Sequence, residues 1–168
     1  FNALFGLAFW EQIFQPAPGA FSHAFQSAPL DMYDRDFRRQ RAASIEKRFH
    51  ELRRASLPEV LGNAYQRFFP CQCHWVNWRA IDIELVTSAC NIIPSSHLVA
   101  VWERMLFDPR ENRKGFPDLI ALGHAAGDYC LYEVKGPGDA LQDSQKRWLR
   151  FFAQHEIPAQ VAWVNWQS

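Results

Sequence analysis

At 168 residues the chain has the length of one domain with a substantial core, and 21% charged against 48% hydrophobic residues is an ordinary globular mixture. A formal net charge of zero excludes a global basic field, so a nucleic-acid partner would have to be met by local charge. Cys71, Cys73, Cys90 and Cys130 lack the spacing of a disulfide framework. Cys71-Gln72-Cys73-His74 sets its cysteines closer than a zinc knuckle does and has no second ligand pair, so free thiols in a reducing compartment are expected.

Residues 1 to about 14 are apolar almost all round, as in a helix enclosed by protein, with Glu11 at a solvated end. The stretch is too short to span a bilayer and has no signal-peptide flanks, so no membrane partner is expected. It reads as a helix entered part-way, in a chain that is a fragment of something longer. Gln15-Pro16-Ala17-Pro18-Gly19 ends it.

From about Tyr33 to Arg54 the chain is basic, with Arg35, Arg38, Arg39, Arg41, Lys47, Arg48, Arg53 and Arg54. Phe37, Ile45, Phe49 and Leu52 recur at helical spacing, so one face docks while the other carries cations. That face is either simply solvated or a phosphate-backbone surface. Ser56 to Phe69 reads as another helix, with Ser56 as N-cap and Pro58 in its first turn. Cys71 to Trp78 is a loop folded onto the core. Ala80 to Ile93 leans helical, and Pro94-Ser95-Ser96 opens a helix to about Phe107.

Asp108 to Gly115 is a loop carrying Arg110, Arg113 and Lys114. Two short strands follow, Gly115 to Leu122 and Tyr129 to Gly136, joined by a turn between Gly123 and Gly127. Gly136-Pro137-Gly138-Asp139 turns the chain, a helix runs from about Ala140 to His155, and Ala159 to Trp166 closes as a strand. Strand, strand, helix, strand after a run of helices implies an α/β fold: a small mixed sheet flanked by helices, with residues 1–108 a helical segment packed on a core of residues 109–168.

The strand pair carries the chemistry. Alternation places Glu133 and Lys135 on one face and turns Val134 into the core. Strands lie about 4.8 Å apart, so Asp118 on the neighbouring strand reaches the same point as Glu133. Two carboxylates among apolar neighbours need neutralising, and a hard divalent cation does that. Lys135 suits either of two roles: polarising the attacking water and stabilising charge at phosphorus, or pairing with Glu133 as a plain salt bridge. Gln145 shares a helical stripe with Leu141, Trp148, Leu149 and Phe152, so it points inward, either to the polar cluster or to loop backbone.

Pro117-Asp118, then Glu133-Val134-Lys135, then a helix bearing Gln145, resembles the PD-(D/E)XK nuclease superfamily. The string from Glu133 to Asp139, with Leu141 and Gln145, resembles its VRR-NUC branch, whose core is restriction-endonuclease-like. Residues Ala3 to Phe14 and Pro29-Leu30-Asp31 are similar to the C-terminal nuclease region of the Fanconi-associated nuclease family. That resemblance implies a metal-dependent, structure-selective DNA nuclease, a 5′ flap endonuclease and 5′ exonuclease acting on branched or flapped DNA in interstrand-crosslink repair. It implies Mg²⁺ or Mn²⁺ held by Asp118, Glu133 and the carbonyl of Val134, with Lys135 catalytic and Gln145 supporting. Arg110, Arg113 and Lys114 would approach substrate phosphate. The family's further metal-binding Glu falls before the position of Phe1, so the rest of a longer protein is an expected partner. The location implied is intracellular: cytoplasm and nucleoid in a bacterium, nucleus in a eukaryote. A stand-alone VRR-NUC enzyme cutting four-way junctions, or a catalytically silent DNA-binding module, are the alternatives.

Overall fold

A computed structural model describes residues 1–165; Trp166, the expected end of the last strand, lies outside them. The apolar opening forms α1 (Asn2–Ala8) and α2 (Trp10–Ile13), which break at Phe9, where ψ rises to 22°. Both are mostly buried, as the absence of a polar face requires. Gly6 is needed for close approach. A Cβ there would lie 2.6 Å from Val76 Cγ2 and 2.9 Å from Trp75 Cβ, so α1 packs against the loop from Cys71 to Trp78.

The basic run splits into α3 (Asp36–Gln40) and α4 (Ala42–Leu52) rather than one helix. The break is at Arg41, which is buried. α5 (Leu57–Phe68) follows an extended Ser56 whose side chain makes no capping bond, so the expected cap is positional only. α6 (Ile83–Ile92) is set by Asp82, whose Oδ1 accepts from Leu85 N at 2.7 Å. α7 (Ser95–Phe107) buries Leu98, Val101, Trp102, Met105 and Leu106. The expected loop after it holds a further turn, α8 (Pro109–Asn112), because Asp108 Oδ1 caps Glu111 N at 3.0 Å.

The sheet has β1 (Leu119–Leu122), β2 (Tyr129–Lys135) and β3 (Ala159–Trp163), with β2 central. β1 pairs antiparallel with β2, Leu119 opposite Tyr132, and β3 pairs parallel from Leu131–Ala159 to Lys135–Trp163. The parallel connection demands a crossover, which is α9 (Asp143–Gln154). β1 begins four residues later than Gly115, since Phe116 turns away to pack on Trp148, 4.9 Å between ring centroids. α9 starts at Asp143 because Gln142 and Gln145 form a reciprocal capping box.

The result is the α/β arrangement expected, with one small sheet flanked by helices. Its core is continuous, from Phe5, Phe9 and Ile45 through Trp102 to Leu131, Trp148 and Phe152. Burial pushes the Cys73 thiol up to about 11 and the Cys90 thiol up to about 12, so both stay protonated at neutral pH. Among the described residues no single helix is long and apolar enough to cross a membrane; α6 and α7 qualify only when joined, and they meet at a 106° bend.

Candidate active site

On β2 the alternating pattern buries Tyr129, Leu131, Glu133 and Lys135 and leaves Val134 half-buried on the other side. The shared face of Glu133 and Lys135 is as expected, but the expectation that Val134 turns into the core is reversed. The helices cover the face that carries the charged pair. Glu133 is 2% exposed and Lys135 8%. Charges so placed require each other, and Lys135 Nζ lies 2.9 Å from Glu133 Oε1.

Asp118 sits one residue before β1, where the register brings it opposite Glu133. Its Oδ2 accepts from Val134 N at 2.9 Å, which prolongs the ladder with a side chain and fixes the carboxylate beside β2. Gln145 unites both of its expected readings. Its Nε2 donates to Glu133 Oε1, while its Oε1 accepts from Gln142 N at 2.8 Å. The amide therefore ties the first turn of α9 to the Glu133 carboxylate.

Two turns hold this arrangement in place. Leaving Lys135, the chain is folded back by Asp139, whose Oδ2 accepts from Gly136 N at 2.8 Å, with Gly138 at φ 84°. Entering the site, Gly115 has φ 73°, and a Cβ there would lie 2.6 Å from the Ser144 carbonyl carbon and 2.7 Å from Gln145 N. Gly115→Ala is therefore expected to destabilise the fold by about 1–3 kcal/mol from backbone strain alone. It should also displace the start of α9 and so lower activity. A denaturant midpoint equal to the parent's would refute the close contact.

Arg110, Arg113 and Lys114 are exposed around α8. Arg113 Cζ lies 4.4 Å from the centre of the Tyr33 ring. The Lys114 carbonyl accepts from Trp148 Nε1 at 3.1 Å, which anchors the loop to α9. Arg113 and Lys114 border a cleft of about 690 Å³ that reaches Asp118. Arg110 borders a separate groove with Arg35, Arg38 and Arg39. Much of the basic run is engaged within the molecule: Arg39 pairs with Asp36 at 3.0 Å, Arg53 with Glu103, and Arg48 Nε donates to the Ala8 carbonyl at 2.7 Å. The continuous phosphate-binding helix face is thus divided among ion pairs.

Sequence reasoning did not find that Tyr33, His74, Trp75 and Asn77 also line this cleft. These lie forty or more residues from Asp118, and no local pattern marks them. Burial pushes the Tyr33 phenol up, the Arg113 charge opposing, so its hydroxyl remains a donor at neutral pH.

Asp118 and Glu133 suit a hard divalent cation by donor chemistry: paired carboxylates on adjacent strands, each already steadied by a hydrogen bond at one oxygen. Among the described residues no group of three or more His, Cys, Asp or Glu side chains gathers into a metal cage. A Mg²⁺-type site, which uses one or two carboxylates and completes its shell with water and phosphate, fits that count.

The family model for the VRR-NUC domain matches residues 52–166. The chain is 44% identical over 165 residues to the Fanconi-associated nuclease 1 homolog of Pseudomonas aeruginosa, covering 98% of this chain and 30% of that protein. It is 33% identical over 154 residues to Fanconi-associated nuclease 1 of Danio rerio, covering 89% of this chain and 16% of that protein. Among solved structures it superposes on paFAN1 bound to 5′ flap DNA of two nucleotides with a gap, with a TM-score of 0.92 and 44% identity. That match covers 99% of this chain and 31% of the other. The chain thus spans less than a third of the length of the relatives it matches most fully.

Proposed function

The chain belongs to the VRR-NUC domain family, and from that premise we propose that it is the catalytic module of a metal-dependent, structure-selective DNA nuclease hydrolysing phosphodiester bonds. The observation that carries the reading is the meeting of Asp118, Glu133 and Lys135 at the β1–β2 junction, with Gln145 bonded to the same Glu133 oxygen as Lys135. A surface that only bound phosphate would gain by losing these carboxylates.

In this reading Asp118, Glu133 and the Val134 carbonyl hold Mg²⁺ or Mn²⁺. The ion, when bound, supplies charge for the scissile phosphate and a water acidic enough to attack it. Lys135, whose Nζ lies 2.9 Å from Glu133 Oε1, either orients that water or stabilises negative charge developing at phosphorus. Gln145 holds the Glu133 carboxylate in one orientation, as outer-shell partners of metal ligands do. Arg110, Arg113 and Lys114 bring cationic donors to the flanking phosphates.

The substrate we infer is branched or flapped DNA, cut by 5′ flap endonuclease and 5′ exonuclease action in interstrand-crosslink repair. The names of the relatives and the flap DNA in the matching structures support this. The site of action follows as the nucleoid or the nucleus. A further carboxylate from the longer protein, expected from the family resemblance, would complete the shell, and the greater length of the relatives is consistent with it. The proposed division keeps residues 1–108 as a helical support and 109–168 as the nuclease core.

Calorimetric titration of the full-length protein with Mn²⁺ tests the reading. A site is expected that Asp118→Ala removes and Arg39→Ala leaves intact. Equal Mn²⁺ binding by Asp118→Ala and parent would rule out a metal at this position.

A further inference from the structure

Resting on the reading of Asp118 and Glu133 as metal ligands, we propose that Trp148 is a positioning residue. Its indole N–H holds the segment that delivers Asp118, so that α9 sets the separation of the two carboxylates and with it the ions the site accepts.

Gln145 and Trp148 lie three residues apart on α9, on one face of the helix. Gln145 Nε2 donates to Glu133 Oε1 on β2. Trp148 Nε1 donates to the Lys114 carbonyl at 3.1 Å, just ahead of Asp118 in the chain. Both carboxylates are thus referred to one helix, although they come from different parts of the sheet. The residues between Lys114 and Asp118 are held against the same helix. A Cβ at Gly115 would lie 2.6 Å from the Ser144 carbonyl carbon, so its backbone is pressed onto the first turn of α9. The Phe116 ring centroid lies 4.9 Å from that of Trp148 and 5.6 Å from that of Phe152. Pro117 has its φ fixed by its ring. Little slack remains for Asp118, whose Oδ2 then accepts from Val134 N at 2.9 Å.

Trp148 is itself immobilised. It is 1% exposed, its ring stacks on Phe152 at 5.3 Å, and the Arg104 guanidinium lies 4.8 Å from the ring centre. Burial of an indole in this fold does not by itself supply a bond to its nitrogen, because Trp75 and Trp102 are buried with Nε1 unpaired among the described residues. The bond to Lys114 is therefore a specific link between α9 and the Asp118 segment. Such a link bears on the ion bound. Mg²⁺ demands near-ideal octahedral geometry at about 2.0–2.1 Å, whereas Ca²⁺ accepts a flexible shell at about 2.3–2.6 Å. Loosening Asp118 costs Mg²⁺ more than Ca²⁺, while a general weakening of the fold costs both alike.

The test titrates the full-length protein with Mg²⁺ and with Ca²⁺, each in competition with Mn²⁺. Trp148→Phe keeps an aromatic ring beside Phe116 and removes the N–H. It is expected to weaken Mg²⁺ binding about tenfold, the scale for partners that orient metal ligands, and Ca²⁺ binding by less than about threefold. Trp102→Phe, which removes a buried indole with no partner at Nε1, should leave both affinities at the parental values even if Tm falls. Phe116→Leu, at a half-buried position, should shift the ion preference in the same direction as Trp148→Phe, and it decides the matter alone if Trp148→Phe does not fold. Parental Mg²⁺ affinity in the variants of this contact, equal losses for both ions, or the same loss in Trp102→Phe overturns the proposal. The nuclease reading then still stands if Asp118→Ala removes the site. A site that survives Asp118→Ala at full affinity removes both.

Discussion

If the proposed nuclease function holds, Asp118→Ala and Glu133→Gln in the full-length protein are each expected to lower metal-dependent cleavage of a 5′-flap substrate by about a thousandfold or more, the scale of losing a group that stabilises transition-state charge. The two variants differ in what they do to the fold. Asp118 is exposed and gives up one bond, to Val134 N, so its removal costs about 1 kcal/mol of stability. Glu133 is buried against Lys135, and deleting its side chain would leave an ammonium without a counter-charge. Gln keeps the shape and a carbonyl acceptor, so Glu133→Gln separates lost chemistry from lost packing better than Ala does. Lys135→Met should fall with them by at least a hundredfold, and Gln145→Ala, which acts through Glu133, by about ten- to a hundredfold. Rates and thermal midpoints on the same preparations make the comparison. Either carboxylate variant cutting at the parental rate with an intact fold would end the assignment.

Arg41→Ala is expected to cost about 3–5 kcal/mol, the range for breaking a buried ion pair. Arg41 is 1% exposed. Its Nη1 and Nη2 donate to Asp31 Oδ2 and Oδ1 at 2.7 and 3.2 Å, to the Phe37 carbonyl at 3.3 Å and to the Gln15 carbonyl at 3.3 Å. The guanidinium also lies 4.4 Å from the centre of the Phe37 ring. Removing it strands the Asp31 carboxylate and carbonyls from two further segments, whereas Arg39→Ala breaks an exposed pair worth less than about 1 kcal/mol. For a chain of this size Arg41→Ala should lower Tm by roughly 10 °C. Arg41→Met with Asp31→Leu should recover most of that loss, because the pair is removed together. A Tm for Arg41→Ala no lower than that of Arg39→Ala would show that the pair does not hold α3 to α4.

The site residues and Arg41 show what could be read locally and what could not. Asp118, Glu133 and Lys135 announce themselves because ionisable side chains interrupt short apolar strands, and a charge in that setting needs a reason. Arg41 belongs by sequence to a run of surface cations. Only packing reveals that it turns inward, where the break between α3 and α4 lets it reach Asp31 and Gln15. The capping bonds of Asp82 and Asp108 were legible in principle, since an acid precedes each helix, but periodicity alone left α6 ambiguous and α8 unseen. Gln145 was placed inward by its stripe, and both of its expected partners proved real.

By itself the sequence determined the order of elements, the enclosed first helices, the α/β class and the family, because each rests on spacing within a short window. Tertiary structure decided which face of β2 is buried, how Asp118 is fixed by a Val134 amide, and how the cations are divided between ion pairs and open clefts. It also brought Tyr33, His74, Trp75 and Asn77 into the lining of the cleft that reaches Asp118. Those outcomes depend on contacts between residues far apart in the chain, whose pairing is set by close packing and by the need to satisfy buried polar groups, and no local pattern encodes them.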